Sequence, residues 1–354
     1  MEAVFLKLLN MSLTASLLVA VVLLLRLLLV RAPKWIRGIL WAMVALRLLL
    51  PFSLESALSL LPSAEPIPPE ILSPVSDSSV NADTLPELPV LPDDSDIETN
   101  PTRPAPSLNE TVNSVLIETM PPQIAETENP VLTLTQIFSV VWLVGIGLML
   151  VYTLVSYLRI RMRVSESLDL DDGIFLCDRI GTPFIIGIIR PRIYLPSTMA
   201  DSDIPYVLAH ERAHLRRLDY LWKPLGFLIL SVYWFNPVIW VAYILFCRDI
   251  ELACDEKVVA KLGTKIKKPY SEALINCSVP RKMISACPLA FGESSIKGRI
   301  KSVLNYKKPA LWIIIAALVL CTAAGVFFLT NPQEQAEHNA NGGSDLDGLS
   351  LEFS

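Results

Sequence analysis

Three apolar stretches, each long enough as a helix to cross a lipid bilayer, decide the class of this chain. They run roughly from Ala3 to Val30, from Leu132 to Leu158 and from Ala310 to Thr330. Each exceeds the ~20 residues that a spanning helix needs. A fourth stretch, Trp35 to Leu50, is shorter and carries Arg37 and Arg47. The first stretch is too long, and too poor in a small-residue cleavage site, to read as a removable leader. A mean hydropathy of +0.48 agrees with a membrane class.

The charges assign sides. Arg31, Lys34 and Arg37 lie in or beside the turn between the first two stretches. Residues 62–132 hold Arg103 as their one basic residue against thirteen acids, whereas residues 159–309 hold 23 of the 30 Lys and Arg. Basic residues mark the cytoplasmic side. The expected path is therefore N-terminus out, first turn in, acidic loop out, basic region in and tail out, with four spans. The net charge of -5 averages an acidic exterior and a basic interior. The basic region reads as positive-inside topology beside anionic lipid, and no direct nucleic-acid contact is expected. The six cysteines fall in the basic region or the last span, without a CxxC pair, which fits reduced thiols.

These signals divide the chain. Residues 1–61 hold two transmembrane helices joined by a short cytoplasmic turn. Residues 62–132, with fourteen prolines, form an extracytoplasmic loop expected to be largely disordered. Residues 133–158 are the third span, 159–309 a cytoplasmic domain, 310–330 the fourth span and 331–354 a short extracytoplasmic tail. Within the domain, Gly173 to Pro196 reads as two or three short strands. A helix capped by Asp203 is expected to run to about Tyr220.

Two of the chain's three histidines lie in that helix, in the pattern His210-Glu211-x-x-His214. Positions i and i+4 share a helix face, so both imidazoles can reach one ion. Glu211 lies on a neighbouring face, where it can meet a water rather than the metal. Independent frequencies give about one accidental match per thousand such chains.

Catalytic zinc takes three protein ligands and keeps a fourth position open. His338 lies in the outer tail, so the third ligand is expected to be an acid on another helix. Glu251 and Asp255, four apart, offer one. Glu251 is the expected ligand, with Asp255 holding a histidine's free N–H. Asp219 is a second candidate for that supporting role. Cys254 is set about a quarter-turn from Glu251. His214 and Glu251 can share an ion only if Leu225 to Cys247 does not cross the bilayer, although it is apolar enough to do so. That stretch is expected to fold back as two helices broken near Asn236-Pro237.

An ordered set of segments resembles the beta-lactam sensor-transducer, or antirepressor, zinc peptidases of bacterial membranes. The set is LRLLLPFSLESALSLL, TPFIIGIIRPRIYLP, HERAHLRRLD, WFNPVIW and ELACD. The resemblance implies an α-helical membrane protein with four transmembrane helices and a cytoplasmic α+β gluzincin-like zinc peptidase domain, in a bacterial cell membrane. It implies zinc held by His210, His214 and Glu251, with Glu211 as catalytic base. It further implies a cytoplasmic protein substrate, a transcriptional repressor or the chain itself. A homodimer is compatible with this reading, and the bilayer is the other expected partner.

The best-known members carry a penicillin-binding domain after the fourth span, where this sequence has 24 tail residues. The signal is then expected to enter through the outer loop, the spans or a partner. Ser294-Ser-Ile-Lys297 matches an acylation tetrad by chance, since no partner motifs accompany it. Arg216, Arg217 and Tyr220 are oxyanion donors by proximity alone, and strand edges within Gly173 to Tyr194 can take an extended peptide. Two rival readings remain open: a membrane quality-control protease, and a non-catalytic receptor with a structural zinc site.

Overall fold

The computed structural model describes residues 2–50, 54–55, 130–171, 173–278 and 296–331. The acidic, proline-rich loop, the tail beyond residue 331 and Ser294 lie outside the described residues, and so do the expectations made for them.

Four of the described helices form the apolar scaffold: α1 (Glu2–Leu28), α2 (Trp35–Leu49), α3 (Pro130–Arg163) and the last described helix, Leu311–Leu329. Three stretches, Glu2–Arg31, Leu134–Arg163 and Leu311–Phe328, are long and apolar enough to cross a membrane. The fourth expected crossing is the 15-residue α2. At 1.5 Å per residue it covers about 22 Å, short of a ~30 Å hydrocarbon core. Its arginines are buried rather than turned to lipid. Leu54–Glu55, just beyond α2, pairs in parallel with Thr330–Asn331, so α2 and the last helix end together.

Four strands follow α3: β1 (Leu168–Asp171), β2 (Ile174–Cys177), β3 (Phe184–Ile186) and β4 (Arg192–Pro196). Their order is β1-β2-β4-β3, with β2 and β4 parallel and the outer pairs antiparallel. Three of them fall within the stretch read as strands. β1 was missed because Leu-Asp-Leu-Asp is rich in a residue that strands disfavour. Alternation sends Ile193 and Leu195 of β4 onto Val207 of helix α4 (Ile204–Arg217). Tyr194, between them, points to the other face and stacks on Phe175 and Phe184.

α4 carries both histidines. Asp203 occupies its N-cap position, but its carboxylate makes no cap bond and accepts from Asn276 Nδ2 at 2.9 Å. Pro205, at the second helical position, offers no N–H for it to cap. The helix stops at Leu218, earlier than expected. Leu218 is left-handed (φ 59°) and joins α4 directly to α5 (Asp219–Val232). This costs a non-glycine residue about 1–2 kcal/mol, and it turns Asp219 back onto His214.

α5 and α6 (Pro237–Leu262) form a hairpin that breaks at Asn236-Pro237, as the sequence suggests. Asn236 Oδ1 accepts from Val238 N at 2.9 Å and caps α6. Its Nδ2 donates to Ser16 Oγ at 2.9 Å and Ser12 O at 3.3 Å on α1. Backbone groups exposed by such a break need partners in apolar surroundings. Trp142 Nε1 donates to Val232 O at 2.8 Å, and Trp240 Nε1 to Trp234 O at 2.8 Å. Tyr233 Oη reaches Leu48 O at 2.8 Å, and Trp234 Nε1 reaches Trp142 O at 3.2 Å. The hairpin is thus tied to α1, α2 and α3, and Phe227, Leu230, Ile239 and Tyr243 join the core of the first two helices.

Gly145 of α3 exists for this contact. A Cβ there would overlap the indole of Trp234. Gly145→Leu is expected to push the indole out and destabilise the protein by about 1–3 kcal/mol. Thermal unfolding in detergent checks this, with Gly145→Ala as the smaller step.

At the other end of the hairpin, Asp249 of α6 is 2% exposed. It accepts from Arg26 Nε and Nη2 (2.8 and 2.9 Å), Arg37 Nη1 (2.9 Å) and Trp41 Nε1 (2.9 Å). From Asn236 to Asp249 the helix rises about 20 Å, alongside α1 from Ser16 to Arg26. Among the described residues two further helices belong to the domain: α7 (Lys267–Ser278) and α8 (Ile296–Leu304). They pack on α6 through Val258, Val259, Tyr270, Leu274 and Val303. The last helix, Leu311–Leu329, is α9.

Candidate metal centre

One turn of α4 and one turn of α6 face each other. His210 Nε2 and His214 Nε2 lie 3.1 Å apart. Glu251 Oε2 is 3.3 Å from His210 Nε2, and its Oε1 is 3.5 Å from His214 Nε2. One ligand atom from each residue falls within 4.8 Å of the others, and all three residues are buried. Two imidazole nitrogens and a carboxylate oxygen at this spacing are a donor set that suits a tetrahedral divalent ion with one position left over. The residues present fit a metal.

The far side of each ring explains why the Nε2 atoms point inward. His214 Nδ1 lies 2.9 Å from Asp219 Oδ2. His210 Nδ1 lies 2.9 Å from Tyr270 Oη and 3.3 Å from Asp255 Oδ1. Tyr270 donates its own proton to Asp255 at 2.6 Å, so its oxygen is left to accept from the ring. A hydrogen at Nδ1 leaves the Nε2 lone pair for an ion. The two acids expected as supports are therefore both in contact with the rings.

Cys254 approaches from the far side. Its Sγ is 3.2 Å from His214 Nδ1 and 3.2 Å from Asp219 Oδ2, forming a second compact group with them. Burial and the neighbouring Asp219 and Glu251 charges push its thiol well above the usual range, opposite to what a thiolate ligand needs.

Three residues at the site carry no motif in the sequence. Lys223 Nζ of α5 is 2.8 Å from Glu251 Oε1. Arg299 of α8 binds both oxygens of Asp255, Nε to Oδ2 at 2.8 Å and Nη2 to Oδ1 at 2.7 Å. Tyr270 is the third. Burial opposes the charge of Glu251, yet Lys223, His214 and Arg299 hold its carboxyl well below the usual range. Asp255 is likewise held low by Arg299 and His210 against its burial. Burial acts against the His210 imidazolium, but hydrogen bonds to Asp255 and Glu251 outweigh it and raise the pKa to about 9.

Of the proximal cations, Arg217 points away from the Nε2 side, its Nε bonding Asp219 Oδ2 at 3.2 Å. Arg216 is exposed and Tyr220 half-buried. Glu211, the expected base, is buried one residue along α4 from His210. Edge strand β3 packs on α4 through Ile185.

The family described as BlaR1 peptidase M56 matches residues 6–303. The methicillin resistance mecR1 proteins of Staphylococcus aureus and Staphylococcus epidermidis are each 26% identical over 227 residues, covering 56% of this chain and 38% of the relative. The regulatory protein BlaR1 of Bacillus licheniformis is 28% identical over 223 residues, covering 55% of this chain and 37% of the relative. The chain thus matches less than two-fifths of the length of these relatives.

Proposed function

Because the chain belongs to the BlaR1 peptidase M56 family, we propose that it is a multi-pass membrane zinc endopeptidase that transduces a signal by cleaving a cytoplasmic regulator. The observation that carries this is the convergence of His210 Nε2, His214 Nε2 and the Glu251 carboxylate, with Asp255 and Asp219 behind the rings. The named relatives are a resistance protein and a regulatory protein, which favours a repressor-like substrate over general proteolysis.

In this reading α1, α2, α3 and α9 cross the membrane. The basic region between α3 and α9 lies on the cytoplasmic side, by the distribution of Lys and Arg. The α5–α6 hairpin enters the apolar layer and returns, which keeps Glu251 on the same side as His210 and His214. The pairing of Leu54–Glu55 with Thr330–Asn331 suits crossings that end on one common side.

When bound, the metal supplies Lewis-acid polarisation of a carbonyl and makes water more acidic. The chain does the rest. Glu211 accepts the proton of the attacking water and returns it to the leaving nitrogen. Asp219 and Asp255 hold the two rings in the tautomer that presents Nε2. Lys223 balances the Glu251 charge where both side chains are largely shielded from solvent.

Two outcomes follow. Comparing protein N-termini between cells with the wild-type chain and with Glu211→Gln should show one or a few cytoplasmic regulators cut only by the wild type. Broad loss of misfolded membrane proteins would instead favour a quality-control protease. The second outcome concerns pH. An ion takes His210 only after its proton leaves, and the metal-free ring holds that proton up to about pH 9. Zinc affinity should therefore rise about tenfold per pH unit toward that value and then level off. Competition with a chelator across this range measures it, and a flat profile would show that the metal-free His210 ring does not hold its proton to alkaline pH.

A further inference from the structure

We infer that Arg299 is the residue that receives the carbonyl oxygen of the peptide bond under attack. The inference deepens the peptidase reading and rests on it. Attack on a peptide carbon moves negative charge onto the carbonyl oxygen. A donor already fixed beside that oxygen, in a site shielded from water, stabilises this charge without reorganising.

Arg299 meets those conditions. Its Nε and Nη2 clamp the two oxygens of Asp255, which fixes the guanidinium plane. Its Nη1 is 3.3 Å from Glu251 Oε2, and its Nη2 is 3.3 Å from His210 Nε2. The guanidinium edge therefore borders the atoms that face the shared space between α4 and α6. Among the described residues Nη1 makes no contact tighter than that 3.3 Å approach. One N–H is thus left for a substrate atom while the others hold the group in place. The side chain is 15% exposed, so the charge acts in a low-dielectric setting.

The other cations have different work. Lys223 makes a full bond to Glu251 Oε1, and Arg217 is bound to Asp219 behind His214. Arg299 also sits on a braced element. Lys267 Nζ of α7 donates to Leu304 O at 3.0 Å and Tyr306 O at 2.8 Å, pinning the end of α8, and Val303 is buried against α6 and α7.

The test uses the full chain, zinc-loaded in lipid nanodiscs, with a peptide phosphonamidate as probe. Its tetrahedral anionic group resembles the attacked carbonyl. Calorimetry reads its affinity, and elemental analysis reads zinc in the same samples. Arg299→Ala and Arg299→Lys should bind the phosphonamidate about 100-fold more weakly than wild type at equal zinc content. A lysine cannot hold both Asp255 oxygens and reach the probe, so it should not rescue. Wild-type affinity in zinc-loaded Arg299→Ala would overturn the inference and leave the peptidase reading standing. Loss of zinc in both variants would also overturn it, because Arg299 would then act only by holding Asp255. Failure of the peptidase reading looks different: zinc-loaded wild type would neither bind the phosphonamidate nor cut any protein.

Discussion

Glu211→Gln is expected to abolish proteolysis and leave the metal bound. The substitution keeps the size and hydrogen-bonding reach of the side chain but removes its ability to take a proton. Glu211 sits one residue past His210, off the face that carries the two imidazoles, so the set His210, His214 and Glu251 is untouched. General-base assistance is worth about 10²–10⁴-fold, and the same group serves twice in the proposed cycle, so residual activity should fall at or below the low end of detection. The informative readout is paired: cleavage of the regulator found by N-terminal profiling, and zinc per chain in the same preparation. Full cleavage by Glu211→Gln would remove the catalytic assignment. Loss of zinc along with activity would mean that the substitution had damaged the site rather than its chemistry.

The largest expected effect on stability is at Asp249. One carboxylate holds Arg26, Arg37 and the Trp41 indole, and thereby ties α6 to α1 and α2. Asp249→Leu would leave two guanidinium groups enclosed without a counter-charge. Breaking one side of a buried ion cluster costs about 3–5 kcal/mol. Glu251 lies two residues further along α6, so slackening here also loosens the carboxylate at the metal centre. Unfolding in mixed micelles should shift strongly for Asp249→Leu. Replacing Arg26 and Arg37 by Met in the same chain should recover most of the loss, because an apolar cluster of similar volume carries no desolvation penalty. If Asp249→Leu unfolds like wild type, the cluster is not what anchors α6.

What could be read from the sequence was local. The spacing of His210 and His214 is a property of one helix, and Pro237 breaks a helix wherever it falls. Glu251 and Asp255 were readable as an i, i+4 pair on a second helix, and the need for a third donor linked the two segments. Lys223, Tyr270 and Arg299 had no such signal. Each reaches the site from a different helix through packing, and Arg299 is one of 23 basic residues that positive-inside topology already accounts for. Asp249 was hidden for the same reason, since its partners lie more than 200 residues away. Arg216, Arg217 and Tyr220 suggested themselves as donors because they were near in sequence. Leu218 turns the chain immediately after α4 begins to end, and that turn sends Arg217 to Asp219 instead. α2 reads as a fourth span from its apolar run, and its 15 helical residues fall below the ~20 typical of a spanning helix because Arg37 and the turn before Trp35 shorten the run.

Zinc content after exhaustive dialysis tests the whole account most directly. Wild-type protein should retain about one zinc per chain, and His210→Ala, His214→Ala and Glu251→Gln should each retain almost none. Wild type without metal, or Glu251→Gln with a full equivalent, would contradict it.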